Sequence, residues 1–116
     1  MTNKVSLDAV AREQGRRAAT SGRGRSAATV FGGHEHALRQ TVVALTGGST
    51  LAEHANPGEA TVHVLRGRVR LVAGELAWEG RAGDLLTVPE ARHRLEALED
   101  AAILLTAVPR GGPRPP

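Results

Sequence analysis

The chain of 116 residues contains no cysteine and no tyrosine, and aromatic residues make up only 2% of it. Without cysteine there is no disulfide framework, no thiolate metal site and no thiol nucleophile, which is compatible with a reducing cytoplasm. Single-stranded nucleic-acid binders and many sugar sites depend on aromatic stacking, so the composition argues against both classes. We therefore expect a cytoplasmic protein without a nucleic-acid partner.

Long apolar runs are also missing. The longest, residues 101–108, falls far short of the ~20 residues that a spanning helix needs, and residues 1–15 lack the apolar core of a signal peptide. The formal charge of +3 is modest and does not by itself imply a polyanionic partner. These features predict one soluble domain with no membrane partner.

The first part of the chain has the pattern of a helix. Apolar and small residues recur at helical spacing over residues 6–19, Ser6 is a suitable N-cap, and Val5 has the spacing of a hydrophobic staple with Val10. Because its apolar face is narrow, we expect this helix to dock on the rest of the chain or on a partner subunit. Residues 1–26 are thus interpreted as a helix followed by a basic, Ser/Gly-rich linker.

Five arginines of this segment lie away from the apolar face or in the linker: Arg12, Arg16, Arg17, Arg23 and Arg25. They have two interpretations, a phosphate-binding arm or a solvated face. The solvated face is favoured because no known docking motif accompanies the arginines.

From residue 27 onward the pattern is that of β-strands, with glycine at most of the joints. Strands are predicted at residues 28–31, 36–45, 49–53, 61–65, 68–73, 76–79, 85–88, 93–98 and 101–106. Many short strands at near-even spacing indicate an all-β sandwich or barrel. A parallel sheet is not expected, because no segment between the strands has the length and pattern of a connecting helix. We assign residues 27–109 to this barrel and expect the Pro/Gly-rich residues 110–116 to be a disordered tail.

Two spaced motifs stand within the predicted barrel. The first reads Gly, five residues, His-x-His, three or four residues, Glu, six residues, Gly; Gly48, His54 and Gly67 match it, while Asn56 and Ala60 occupy the second histidine and the glutamate positions. This spacing resembles that of the first signature of the cupin family.

The second cupin signature reads Gly, five residues, Pro-x-Gly, two residues, His, three residues, Asn. Gly83 and Pro89 match it, His93 comes one residue early with Arg94 in the expected position, and Ala91 and Ala97 replace the glycine and the asparagine. On these residues the chain resembles a small single-domain cupin of the RmlC-like family with degenerate metal-binding motifs. The resemblance covers roughly residues 39–108.

The resemblance implies an all-β fold, the double-stranded β-helix or cupin jelly-roll barrel, to which this chain adds one N-terminal helix. It also implies a homodimer and a ligand or metal site inside the wide end of the barrel. Family members include metal-dependent dioxygenases, isomerases, decarboxylases and sugar-binding domains, so the fold leaves the function open.

A divalent transition metal in such a barrel is held by imidazoles and a carboxylate, a donor set suited to iron, nickel, manganese or zinc. Here the family positions leave His54 and His93. Glu59 could supply the carboxylate only if the preceding turn bulges, because a shift of one residue in a strand reverses the direction of the side chain. No cofactor is therefore assigned with certainty.

The ligand-binding residues expected from the sequence are His54, Asn56, His93, Gln40 and Trp78. One of Arg39 and Gln40 must face inward and is a candidate to orient a polar ligand. Trp78 is interpreted either as a stacking platform or as a core or interface residue.

The remaining histidines are expected outside the site. If Ala60 faces inward, His63 faces outward, and His34 and His36 are interpreted as loop residues on the surface. No Ser-His-acid arrangement and no phosphate-loop motif is present.

The leading prediction is a cupin that binds a small organic molecule inside its barrel, with a degenerate metal site. The alternative is a metal-dependent enzyme of the dioxygenase or isomerase type that uses His54, His93 and Glu59. A third hypothesis is an assembly unit whose basic helix recruits an acidic partner.

Overall fold

The structure, a computed structural model, describes residues 4–33, 35–54 and 58–109, and of residues 53 and 54 it describes the backbone. Within these residues the chain forms one helix and nine strands: α1 (Leu7–Thr20), β1 (Arg25–Phe31), β2 (Arg39–Leu45), β3 (Thr50–His54), β4 (Gly58–Arg66), β5 (Arg68–Ala73), β6 (Leu76–Arg81), β7 (Leu85–Thr87), β8 (His93–Ala97) and β9 (Ala101–Pro109). The predicted all-β barrel with one N-terminal helix is confirmed.

Helix α1 begins where the sequence predicts. Ser6 has an extended backbone, and its Oγ accepts a hydrogen bond from the backbone N–H of Ala9 at 3.2 Å, which satisfies one of the donors left open by the first helical turn. Gln14, on the face that turns toward the sheet, is buried and accepts a hydrogen bond from Ser26 Oγ in β1 at 2.5 Å. The helix is thus fixed to the barrel by a polar contact as well as by apolar packing.

The strands form two antiparallel sheets. The five-stranded sheet has the order β1-β2-β9-β4-β7, and the four-stranded sheet has the order β3-β8-β5-β6. Neighbouring strands in each sheet are often far apart in sequence, as β2 and β9 are, so each sheet forms only when distant segments of the chain come together. This arrangement is that of a jelly roll.

The core lies between the two sheets. Its buried residues alternate along the strands, as the two-residue period of a strand requires. From the five-stranded sheet come Val43, Leu45, Val62, Val64, Ala101 and Ile103, and from the four-stranded sheet come Val69, Leu71, Leu95 and Ala97. The intervening residues of each strand point to the outer faces.

Helix α1 covers part of the outer face of the five-stranded sheet. Ala11 of the helix packs with Val42, Ala102 and Leu104, and Leu65 borders this second cluster. The apolar stripe of α1 is narrow, as expected, and its cover is the barrel of the same chain.

Some strand bounds differ from the sequence prediction. Strand β1 begins at Arg25, three residues early, and β2 begins at Arg39, three residues late. His36 precedes β2, and its ring lies 4.9 Å from the ring of Phe31, measured between centroids. The expected tail, residues 110–116, and His34 lie outside the described residues. In the described part of the chain, no helix has the length and apolarity needed to cross a membrane.

Candidate functional site

A small cavity lies between the two sheets. Its volume is about 30 Å³, and seven of its eight lining residues are apolar. The lining residues are Leu51, Val62, Leu71, Val88, His93, Leu95, Ile103 and Leu105. Among the lining residues that the structure describes, one has a polar side chain, the imidazole of His93.

The ring of His93 is held in a defined orientation. His93 is the first residue of β8, is only 7% exposed, and has Nδ1 2.9 Å from the carbonyl oxygen of Ala91. A carbonyl oxygen can only accept, so Nδ1 carries a proton and donates it. In the neutral ring the lone pair is then on Nε2.

The two histidines of the sequence motifs come together at the level of the backbone. His54, the last residue of β3, is the direct register partner of His93 on β8, after a register shift between Leu51 and His54. Residues that lie directly opposite in an antiparallel pair have neighbouring Cα atoms. Asn56 lies outside the described residues.

Glu59 does not reach the barrel interior in this structure. The register of β4 with β9 is regular from Gly58 to Val64, so no bulge redirects the strand. Ala60 packs against the core and Glu59, its neighbour, is exposed on the other face. This placement corrects the expectation that a displaced Glu59 joins the two histidines.

The described residues therefore fit a metal poorly. They offer His93 on the inside, an alanine in the carboxylate position and Glu59 on the outside. Among the side chains that the structure describes, no group of three or more metal-binding types is arranged to hold an ion.

Gln40 also lies outside the barrel. In the regular pairing of β2 with β9, Gln40 shares the face of Val42, and its Nε2 donates a hydrogen bond to Thr106 Oγ1 at 3.2 Å. The expectation that Gln40 lines the interior is corrected, because strand alternation gives the inner face to Arg39 and Thr41 instead.

Trp78 lies on the inner face of its sheet but is partly exposed to solvent. It lies opposite Leu71, a cavity-lining residue, in the β5–β6 pairing, so both side chains belong to the same face of the sheet. Since β6 is the edge strand, the indole is 41% exposed, and Leu76 beside it is 62% exposed. The indole is therefore not a core residue.

His63 lies on the outer face of β4, as expected from the inward position of Ala60. Its register partners are Leu104 on one side and Leu85 on the other. It therefore takes no part in the inner cavity.

One group in the site was not foreseen, the carbonyl of Ala91 that orients the His93 ring. Every residue type has a backbone carbonyl, so the identity of Ala91 could not predict this contact. The sequence predicts only a turn near Pro89, before β8.

No protein-family model matches the chain, and no curated protein matches it either. Solved structures do resemble it. A protein from Thermus thermophilus, TT1209, superposes with a TM-score of 0.72 at 20% identity, over 93% of this chain and 98% of its own. A protein of unknown function from Streptococcus pyogenes gives 0.68 at 24% identity, over 77% of each chain.

An RmlC-like cupin from Shewanella frigidimarina gives a TM-score of 0.67 at 20% identity, over 78% of this chain and 80% of its own. An RmlC-like cupin with a double-stranded β-helix fold from Methanocaldococcus jannaschii gives a TM-score of 0.65 at 12% identity, over 78% of this chain and 84% of its own. At these identities the likeness concerns the fold.

Proposed function

On the premise that the chain has the fold of a small RmlC-like cupin, we propose that it binds a small organic molecule at the inner cavity, with a polar group of the ligand against His93. The single observation that carries the proposal is a buried, oriented imidazole in a cavity whose other described lining residues are apolar. Ligand sites typically combine an apolar lining with a few well-placed polar groups.

The size of the cavity limits how the ligand is held. A volume of about 30 Å³ is close to the share of one water molecule in the liquid. Only a terminal group of the ligand fits there, and the rest of the molecule extends toward the rim. Trp78, which lies beside cavity-lining Leu71, is proposed as a contact for that outer part.

Binding at this site is tested with protein labelled at the histidine rings and a panel of small alcohols, amines and carboxylic acids. We expect at least one compound to shift the ring signals of His93 in NMR spectra and to leave those of His63 in place. His93→Ala and His93→Gln should weaken binding about fivefold or more, because the hydrogen bond to the imidazole is worth roughly 1 kcal/mol or somewhat more.

His63→Ala is the matched control, since it removes the same ring from the opposite face of the sheet. A compound that binds His93→Gln as tightly as the wild type would place the site elsewhere. A panel in which no compound shifts His93 would equally contradict the proposal.

The second candidate is a metal-dependent enzyme, and the direct backbone pairing of His54 with His93 is the observation in its favour. Glu59 cannot supply the carboxylate ligand of this metal, because it lies on the outer face of β4. Elemental analysis of protein purified without a metal-affinity tag separates the two candidates. Stoichiometric iron, nickel, manganese or zinc that is lost in His54→Ala would favour the enzyme.

A homodimer and a cytoplasmic location belong to the same proposal. The dimer is supported by the family resemblance and by exposed Leu76 and Trp78 on the edge strand β6. Edge strands carry backbone groups that a second copy can pair with. The cytoplasmic location is supported by the absence of cysteine.

A further inference from the structure

A second, larger cavity lies outside the barrel, between α1 and the five-stranded sheet. Its volume is about 370 Å³, and it is separate from the cavity at His93. From the helix come Ala11, Arg12, Gly15, Arg16 and Ala19; from the barrel come Leu45, Thr46, Arg66, Asp100, Ala101 and Ala102. We call it the helix groove.

The helix groove exists because the residues that face it are small. Ala11, Gly15 and Ala19 follow one another at intervals of four residues, which places them on one face of α1. A Cβ atom added at Gly15 would meet nothing within 4 Å. Glycine inside a helix costs about 0.5–1 kcal/mol relative to alanine, so this opening is kept at the expense of helix stability.

The charges around the groove are mostly positive. Arg12, Arg16 and Arg66 line it, against one carboxylate, Asp100. Asp100 is already engaged, because its Oδ1 accepts a hydrogen bond from the backbone N–H of Gly47 at 2.8 Å.

The three arginines differ in their partners. Arg16 is paired with Glu13 on the same helix at 2.5 Å. The guanidinium groups of Arg12 and Arg66, by contrast, make no hydrogen bond and no ion pair with the described part of the chain. Two guanidinium groups from elements distant in sequence thus border one groove with their donors uncommitted.

We propose that the helix groove is a binding site for a small organic oxyanion, a phosphate or carboxylate attached to a short apolar body. Guanidinium groups match the planar, two-oxygen face of both anions. The floor, formed by Leu45, Ala101 and Ala102 with the small residues of α1, is apolar and suits a short carbon chain.

The size of the groove favours an organic ligand over an inorganic ion. Its volume of about 370 Å³ falls within the roughly 300–1,000 Å³ of small-molecule sites. An inorganic phosphate would leave the apolar floor uncovered. The ligand's chain should therefore add affinity to that of the oxyanion.

The proposal is tested by titrating the protein with n-butyl phosphate, butyrate, inorganic phosphate and uncharged n-butanol, and following backbone amide signals by NMR. We expect n-butyl phosphate or butyrate to shift the amides of Gly15 and Ala102, and the tighter of the two identifies the anion. Inorganic phosphate should bind about tenfold more weakly, because it lacks the apolar chain, and n-butanol should leave these two amides unshifted. Added salt should weaken binding, because the arginines are exposed.

Three variants locate the site. Arg12→Ala and Arg66→Ala should each weaken binding about tenfold, the usual effect of losing one charge-assisted hydrogen bond. Gly15→Leu should abolish binding by filling the groove. Because a Cβ at this position meets open space and leucine is a better helix former, Gly15→Leu should also raise the unfolding midpoint, which separates blocked binding from misfolding.

Arg17→Ala is the matched control, since Arg17 lies on the same helix and does not line the groove. It should bind like the wild type. Undiminished binding to Gly15→Leu, equal loss in Arg17→Ala, or no binding of either organic oxyanion would overturn the proposal. His93→Gln should bind these probes normally, so the outcome is independent of the cavity inside the barrel.

Discussion

At the scale of single residues, Gly67 is the most constrained joint of the barrel. It connects β4 to β5 directly and has a φ of +72°, a conformation that residues with a side chain rarely adopt. A Cβ atom at this position would overlap the carbonyl oxygen of Asp100 and lie 2.9 Å from the Cα of Ala101. The glycine that completes the first sequence motif is thus required for packing as well as for the turn.

Gly67→Ala should lower the free energy of unfolding by ~3 kcal/mol or more, measured by urea denaturation. About 1–2 kcal/mol comes from the left-handed backbone, and the rest comes from displacing the backbone at Asp100. Gly74→Ala is the matched control, since Gly74 has a φ of +60° but open space at the Cβ position. Equal losses for the two variants would contradict the packing argument.

At the scale of elements, α1 divides the outer face of the five-stranded sheet into a covered and an uncovered part. Leu104 of β9 is 9% exposed and packs in the cluster that contains Ala11, whereas Leu85 of β7 is 64% exposed. Both are register partners of His63. The two leucines therefore share a face and differ mainly in burial.

Leu104→Ala should lower the free energy of unfolding by about 2–5 kcal/mol, because it leaves a space under the helix. Leu85→Ala should change it by no more than about 0.5 kcal/mol, as exposed substitutions usually do. Thermal and urea unfolding followed by circular dichroism measure both. A large loss in Leu85→Ala would show that a partner covers the exposed part of the face.

At the scale of the whole molecule, the edge strand β6 exposes two apolar residues, Leu76 and Trp78. The chain has one tryptophan, so the fluorescence of Trp78 reports on this edge alone. Its indole is partly exposed in the single chain. Trp78 is proposed both as a rim contact for the ligand and as a neighbour of the dimer interface. The first role makes its emission depend on the ligand, and the second makes it depend on protein concentration.

Light scattering should give twice the mass of the chain at micromolar concentration. If Trp78 lies in the interface, its emission should shift to longer wavelength on dilution, as the indole becomes exposed to water. If it is only a rim contact, dilution should leave the emission unchanged and the ligand should shift it. A monomeric mass at all concentrations would remove the homodimer from the proposal.

Much of the fold was predictable because it depends on local rules. Ser6 marks the start of α1 through its own hydrogen bond to Ala9. Glycines separate the strands because several joints need backbone conformations that other residues avoid, and the inward Ala60 with the outward His63 follows from the two-residue period of β4. Such features depend on neighbours in the sequence, so the sequence carries them.

The site was predictable only in part. His93 was identified from the spacing of a motif, and the structure places it in the inner cavity. Gln40, one of two candidates for the inner face, and Glu59, which needed a bulged turn to reach it, both lie on the outer face. Alternation predicts that two successive side chains point to opposite faces, but the register with β9 decides which face is the core.

By itself, the sequence determined where α1 and most of the strands lie and which residues alternate along each strand, because these features follow from backbone preferences and short-range spacing. Only the tertiary structure decided which face of each strand is buried, and only it brought Arg12 and Arg66 to one groove. That juxtaposition depends on how α1 packs across strands distant in sequence. Packing of this kind is fixed by the shape of the assembled core, which no local pattern records.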